Sequence, residues 1–204
     1  MLNQLTQPYR FILASASPRR KQFFEDLHLD VQIEIKPIEE IYPGHLQFTD
    51  ITDYLSVLKS QPFIPTLQEY DVLITSDTLV WQNGKAIGKP NSREEAVEML
   101  LNLSNTTHQV ISSVTFTTIQ QQTTLNDVTE VTFGPLTLAE INYYHDQFKP
   151  FDKAGSYGIQ DWIGLVGVQH IRGSYANVMG LPVEKVYRFI VKHYTSNYHA
   201  YNAS

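Results

Sequence analysis

The stretch Phe-Ile-Leu-Ala-Ser-Ala-Ser-Pro-Arg-Arg, residues 11–20, predicts a strand, a short turn and the first turn of a helix. Residues 11–14 are apolar, which favours a short buried strand. Ser17 before Pro18 is typical of a helix start, because the hydroxyl caps free backbone N–H groups and proline loses nothing at the first helical position. A strand that leads directly into a helix is the basic unit of an α/β protein.

The rest of the chain alternates in the same way. Apolar runs and period-two patterns predict strands over residues 31–35, 72–81, 108–119 and 128–133. Helical spacing and capping residues predict helices over residues 18–27, 51–58, 93–101, 138–148 and 182–194. Asn83-Gly84 marks a hairpin, so a mixed β-sheet flanked by helices is expected rather than a purely parallel sheet.

Two capping boxes and one glycine-rich segment complete the prediction. Ser92 with Glu95, and Thr137 with Glu140, have the spacing of a capping box at a helix start. Residues 152–180 combine glycines with short apolar runs, which predicts strands and loops. We expect one two-lobed domain over residues 1–194 and a frayed polar tail over residues 195–204.

Composition and charge exclude several classes of protein. The chain has 204 residues and a net charge of −6, which argues against a polynucleotide partner. It has no cysteine, so disulfides, thiolate metal sites and a cysteine nucleophile are excluded. The first ten residues lack the apolar core of a secretory signal, and no apolar run is long enough to span a bilayer. A soluble cytoplasmic protein with no membrane partner is therefore expected.

The turn at residues 15–20 is a candidate site for an anion. A helix N-terminus offers free N–H groups and partial positive charge. Ser15 and Ser17 add hydroxyls, and Arg19 and Arg20 add guanidinium groups that match phosphate oxygens. The alternative is a capped surface helix with solvated arginines.

Carboxylates occur at two positions where they are candidates for a catalytic or metal-binding role. Asp77 interrupts an apolar strand, so it must be paired, bound to a metal or facing a cleft; the alternative is a hydrogen-bonded structural aspartate. Glu39 and Glu40 follow a strand and suit hard cations such as Mg²⁺ or Mn²⁺, although such a pair is more often a solvated loop.

Two further segments carry lysine beside glycine. Gly88-Lys89-Pro90 lacks the spacing of a phosphate-binding P-loop and on its own indicates only a turn. In residues 152–160, Lys153 can reach a phosphate, and Gln160 carries the donor and the acceptor needed to recognise a base edge. The alternative for this segment is a glycine-rich turn with a salt bridge.

Taken together and in order, six segments resemble the Maf family of nucleoside triphosphate pyrophosphatases, from about residue 11 to residue 194. They are Leu-Ala-Ser-Ala-Ser-Pro-Arg-Arg (13–20), Ser-Asp-Thr (76–78), Gly-Lys-Pro (88–90), Thr-His-Gln-Val (107–110), Asp-Lys-Ala-Gly-Ser-Tyr-Gly-Ile-Gln (152–160) and Gly-Ser-Tyr-Ala-Asn-Val-Met-Gly-Leu-Pro (173–182). The resemblance implies an elongated mixed sheet with a two-lobed cleft, similar to inosine triphosphate pyrophosphatases, and often a homodimer.

The resemblance also implies an activity. Family members cleave a nucleoside triphosphate between the α- and β-phosphates with a divalent metal cation. The form of residues 152–160 is similar to the branch that acts on dTTP and UTP, and modified pyrimidine nucleotides are further candidate substrates. The alternative is a nucleotide-binding regulator of cell division, or septum formation, with little turnover.

Roles follow residue by residue from the resemblance. Asp77 matches the proton acceptor, Glu40 matches an acidic residue that binds or organises the metal, and Ser15 lies in the phosphate loop. Five cations match the triphosphate-binding set: Arg19, Arg20, Lys59, Lys89 and Lys153. Thr78 and Gln160 match positions tied to base selectivity. Departures from the family pattern occur at Thr75-Ser76, Asn105, Gly134-Pro135 and Asp161-Trp162, and the last two bear on the shape of the cleft or of the base pocket.

Overall fold

The computed structural model describes residues 2–195 and forms one seven-stranded mixed sheet with helices packed against it. The strands are β1 (Arg10–Leu13), β2 (Val31–Ile33), β3 (Asp71–Gln82), β4 (Lys85–Ile87), β5 (Thr107–Thr117), β6 (Gln122–Phe133) and β7 (Val168–Arg172). The helices are α1 (Leu2–Leu5), α2 (Pro18–Asp26), α3 (Thr49–Leu58), α4 (Arg93–Leu103), α5 (Leu138–Phe148), α6 (Trp162–Gly167), α7 (Tyr175–Val178) and α8 (Val183–Tyr194).

Strand β3 is the centre of the sheet. The strand order is β2-β1-β3-β5-β6-β7, and β4 forms a hairpin with the end of β3. Strand β1 is parallel to β2 and β3, whereas the pairings of β5, β6 and β7 are antiparallel. The predicted mixed α/β sheet is therefore confirmed.

Two core clusters lie along β3. The first packs Val72 and Ile74 of β3 against α2 and α8, and the second packs Val80 against α4 and α5. Burial of these apolar side chains supplies the main driving force for folding. Residues 75–79 of β3 lie between the two clusters, so this part of the strand can carry polar groups without opening either core.

The structure corrects the prediction for residues 152–180. This segment contains helices α6 and α7 besides strand β7, where only strands and loops were expected. Helix α7 is capped by Ser174, whose hydroxyl accepts a hydrogen bond from the Asn177 N–H at 3.3 Å. Helices of six and four residues are too short to show a helical period, so the sequence pattern does not reveal them.

Capping behaves as predicted at one helix and only in part at another. Thr137 and Glu140 form both hydrogen bonds of a capping box. Ser92 caps the Glu95 N–H, but the Glu95 carboxylate accepts from the Asn91 backbone N–H at 2.7 Å instead of returning to Ser92. Helix α1 was not predicted, and of the expected tail all but residue 195 lies outside the described residues.

Burial of His108 couples the stability of the fold to pH. His108 is 2% exposed, its Nε2 lies 2.7 Å from the Tyr157 hydroxyl, and burial lowers the pKa of its imidazole to about 4. Above pH 6.5 the ring is neutral in both the folded and the unfolded chain, so it has no effect on stability there. As the pH falls from about 6.5 to 4, only the unfolded chain takes up the proton, and stability is lost.

The expected loss is about 3 kcal/mol between pH 7 and pH 4 from this residue, at about 1.4 kcal/mol per pKa unit. Urea unfolding at a series of pH values measures it. His108→Gln removes the titrating group and should flatten the pH dependence, whatever its effect on stability at pH 7. The prediction would be contradicted if the free energy of unfolding fell equally steeply with decreasing pH in the variant and in the wild type.

Candidate functional site

One cavity of about 650 Å³ brings together most of the predicted site residues. It is lined by the turn after β1, the loop after β2, α3, the middle of β3, the loop after β4 and parts of residues 152–157 and 178–180. Nine predicted residues line it: Ser15, Arg19, Arg20, Glu40, Lys59, Asp77, Thr78, Lys89 and Lys153. Gln160 does not line it.

The turn before α2 is built as the sequence predicts. The Ser17 hydroxyl accepts from the Arg20 N–H at 3.4 Å, and Pro18 occupies the first turn of the helix. The Ser15 hydroxyl accepts from the Ser17 N–H at 3.2 Å, which holds the turn in shape. The start of α2 therefore faces the cavity with its partial positive charge in place.

Most N–H donors of the Arg20 side chain form hydrogen bonds with other groups of the protein. Its Nε donates to the Gly180 carbonyl at 2.9 Å, and Nη1 donates to the Ser76 carbonyl at 3.0 Å. Nη2 donates to the Thr78 hydroxyl at 3.0 Å. Burial lowers the pKa of the guanidinium, while the charge of Asp77 opposes that shift. Arg20 thus joins the start of α2, strand β3 and the loop before α8 around one planar group.

Arg19 and Lys153 meet at a different wall of the cavity. Arg19 donates from Nε to the Met179 carbonyl at 3.3 Å, and its Nη1 lies 3.7 Å from an Asp152 oxygen. Lys153 Nζ donates to the other Asp152 oxygen at 2.7 Å. Two cations from segments more than 130 positions apart therefore share one carboxylate.

Lys59 links the two predicted acidic residues. Its Nζ donates to Asp77 Oδ1 at 2.7 Å and lies 3.1 Å from Glu40 Oε2. Asp77 is 7% exposed, so its charge needs such a partner. The structure thus brings Glu40, Lys59 and Asp77 into one chain of charges on the cavity wall.

Two other lysines line the same cavity. Lys89 is exposed and forms no ion pair with the described residues, so its ammonium is available. Sequence reasoning missed Lys36, which lies 4.6 Å from the centre of the Phe63 ring and donates to the Pro62 carbonyl at 3.0 Å. The local sequence carries no signal for Lys36, because both partners lie about 26 positions away.

The charge of the cavity is opposite to that of the whole chain. Six basic side chains and three acidic ones line it, although the protein carries a net charge of −6. The basic residues are Arg19, Arg20, Lys36, Lys59, Lys89 and Lys153. Such a local positive field attracts an anion with several charges.

The two predicted base-selectivity residues are placed differently. The Thr78 hydroxyl lies at the cavity wall, within hydrogen-bonding distance of Arg20, Ser112 and Gly180. Gln160 lies outside the cavity, and its Nε2 donates to Asp161 Oδ1 at 3.0 Å. Asp161 also accepts from the Tyr144 hydroxyl at 2.7 Å, so this carboxylate holds the Gln160 amide in one orientation.

The departures from the family pattern are accommodated by local contacts. Thr75 donates to the Ser56 carbonyl at 2.6 Å, which ties β3 to α3 next to Asp77. Asn105 has φ 55°, a left-handed conformation that asparagine tolerates better than most residues and that explains why glycine suits this position. Gly134 accepts from the Asn105 N–H and donates to the Gly167 carbonyl.

The fold and the cavity together define an α/β protein with a cavity whose mainly basic lining suits a small polyanion. Comparison with known proteins gives the family. The family model described as Maf-like protein matches residues 10–193. The chain therefore belongs to the Maf-like family, as the six segments indicate.

Curated relatives are similar over nearly their whole length. A dTTP/UTP pyrophosphatase of Flavobacterium psychrophilum is 52% identical over 193 residues, covering 95% of this chain and 99% of the relative. Another of Flavobacterium johnsoniae is 51% identical over 190 residues, covering 93% and 98%.

A solved structure of a dITP/XTP pyrophosphatase from Mycobacterium abscessus superposes with a TM-score of 0.43 and 11% identity. The match covers 88% of this chain and 92% of the other. Separately, none of the helices in residues 2–195 has the length and hydropathy that crossing a bilayer requires.

Proposed function

We propose that the protein hydrolyses dTTP and UTP to the nucleoside monophosphate and pyrophosphate. The names of the relatives at about 50% identity support the substrate and the reaction. One observation of the structure carries the proposal: the paired carboxylate of Asp77 and the cationic start of α2 face the same cavity. A triphosphate needs such cations along its chain and one acceptor for the proton of the attacking water.

The cations of the cavity are proposed to have two different roles in binding. Arg19, Lys89 and Lys153 line the cavity and have donors suited to phosphate oxygens, and the N–H groups at the start of α2 add further donors. Arg20 contributes mainly by holding this frame, since its guanidinium donates to the Gly180 and Ser76 carbonyls and to the Thr78 hydroxyl. Charge neutralisation and positioning are the main sources of catalysis in phosphoryl transfer.

Asp77 is proposed as the proton acceptor. Lys59 binds Oδ1, while Oδ2 accepts no hydrogen bond from the described residues. The free oxygen lies on a carboxylate fixed in a buried strand, so it can accept a proton from a water placed against the innermost phosphate. Lys59 keeps the carboxylate oriented and balances its charge.

A divalent cation such as Mg²⁺ or Mn²⁺ fits the cavity as a partner of the substrate. Within residues 2–195 no group of three or more acidic or histidine side chains is close enough to hold a metal alone. Mg²⁺ commonly binds through one or two carboxylates together with substrate phosphates and water. Glu40 would hold it, since its carboxylate faces the cavity beside Asp77, and the metal would neutralise phosphate charge.

Further parts of the proposal concern selectivity and assembly. Thr78 and Gln160 are proposed to contribute to base choice, Thr78 from the cavity wall and Gln160 from outside the cavity, through an amide that Asp161 orients. Residues 1–194 are proposed to act as one unit. A homodimer in the cytoplasm is proposed, and the exposed side chains of Leu165 and Val166 beside edge strand β7 support the dimer.

A product assay tests the function. Purified protein with Mg²⁺ or Mn²⁺ should convert dTTP and UTP to dTMP and UMP with release of pyrophosphate, and more slowly convert CTP and 7-methyl-GTP. Chelation of the metal should abolish turnover. Release of orthophosphate and a nucleoside diphosphate would contradict α–β cleavage. Calorimetric binding of dTTP without hydrolysis under any metal would favour the nucleotide-binding regulator instead.

A further inference from the structure

The carboxylate of Asp152 lies between two cations of the cavity, those of Arg19 and Lys153. One of its oxygens accepts from Lys153 Nζ at 2.7 Å, and the other lies 3.7 Å from Arg19 Nη1. A carboxylate and a phosphate present the same kind of acceptor oxygens to these two cations. All three residues line the cavity.

The burial of the three side chains is uneven. Lys153 is 13% exposed and Arg19 is 26% exposed, whereas Asp152 is 62% exposed. The two cations are thus held in the wall, while the carboxylate has solvent beside it. Turning Asp152 outward uncovers no core, so a ligand can displace it at small cost.

Burial raises the pKa of the Asp152 carboxyl, but the hydrogen bond from Lys153 and the charges of Lys153 and Arg19 together bring it below its ordinary value. The carboxylate therefore stays ionised and keeps competing for both cations. Lys153 lies 4.0 Å from one other carboxylate, that of Asp161, which already accepts from Tyr144. Asp152 is the partner that a ligand must replace.

We propose that Asp152 is a specificity-determining residue that masks the Arg19–Lys153 pair and sets how much negative charge a ligand needs to bind. A chain of two or three phosphates outcompetes a single carboxylate, whereas a lone phosphate does so poorly. The same carboxylate re-forms its contacts when pyrophosphate leaves and so limits product inhibition. This inference rests on the proposed function, because it takes a polyphosphate chain as the ligand.

Calorimetric titration with inorganic pyrophosphate, without divalent metal, tests the proposal. Asp152→Asn and Asp152→Ser should bind pyrophosphate about three- to tenfold more tightly than wild type, the range of a partly exposed ion pair. Asp152→Glu should stay close to wild type. In steady-state assays, Asp152→Asn should be inhibited by pyrophosphate at a correspondingly lower concentration.

Asp146→Asn is the matched control, since Asp146 is a similarly exposed aspartate paired with Arg93 outside the cavity. It should leave pyrophosphate binding unchanged. Unchanged or weaker binding by both Asp152 variants, or equal tightening by Asp146→Asn, would overturn the inference. The proposed function fails separately, if wild-type protein releases no pyrophosphate from dTTP.

Discussion

Asp77→Asn is expected to lower kcat for dTTP about a thousandfold while changing the dissociation constant of dTTP only a few-fold. Loss of a positioned general base typically costs a factor of about 10² to 10⁴. Asparagine has nearly the same shape as aspartate, and its amide oxygen can still accept the hydrogen bond from Lys59. It cannot act as a base toward water. Single-turnover kinetics measures the chemical step, and calorimetry with a non-hydrolysable dTTP analogue measures binding.

Asp71→Asn is the matched control for that experiment. Asp71 is also buried on β3, but it pairs with Arg10 at 2.8 Å and does not line the cavity. This variant should lose stability and keep a kcat close to that of wild type. Near-normal turnover in Asp77→Asn would remove Asp77 from the proposed role.

Arg20→Lys is expected to destabilise the protein by about 3 kcal/mol and to lower kcat/KM at least tenfold. Lysine keeps the charge but cannot reach the Gly180 and Ser76 carbonyls and the Thr78 hydroxyl together. Each buried acceptor left without a donor costs about 1–3 kcal/mol, partly relieved by relaxation. Urea unfolding and steady-state kinetics measure the two effects.

Arg19→Lys separates the two arginines. Arg19 has one hydrogen bond to the backbone and one longer contact to Asp152, so its loss should raise KM and barely change the free energy of unfolding. If Arg20→Lys unfolded at the same urea concentration as wild type, the role of Arg20 as a frame for the site would be wrong.

The sequence predicts those elements that carry a local signal, such as a capping residue, a proline or a turn dipeptide. Ser17 and Pro18 mark the start of α2, Asn83-Gly84 marks the β3–β4 hairpin, and both features are confirmed. Helices α6 and α7 give no such signal, because a helix of four to six residues contains little more than one turn.

The candidate site likewise has features that the sequence predicts and features that depend on packing. The anomaly of Asp77 is visible in the sequence, since a carboxylate in an apolar strand requires a partner. The family resemblance placed Glu40, Lys59 and Asp77 in one site. It did not predict that Lys59 pairs with Asp77 or that Lys59 also reaches Glu40. The pairing depends on α3 packing against β3 and β5, where Thr75 and Ser56 fasten the helix.

Neighbouring residues and motif order were enough to predict the alternation of helices and strands, the capped start of α2 and the membership of the Maf-like family. The folded chain was needed to show that Arg20 binds mainly the protein, that Lys36 lines the cavity, that Gln160 does not, and that Asp152 contacts Arg19 and Lys153. These contacts join segments far apart in the chain, and the distances between such segments are set by the packing of the whole sheet.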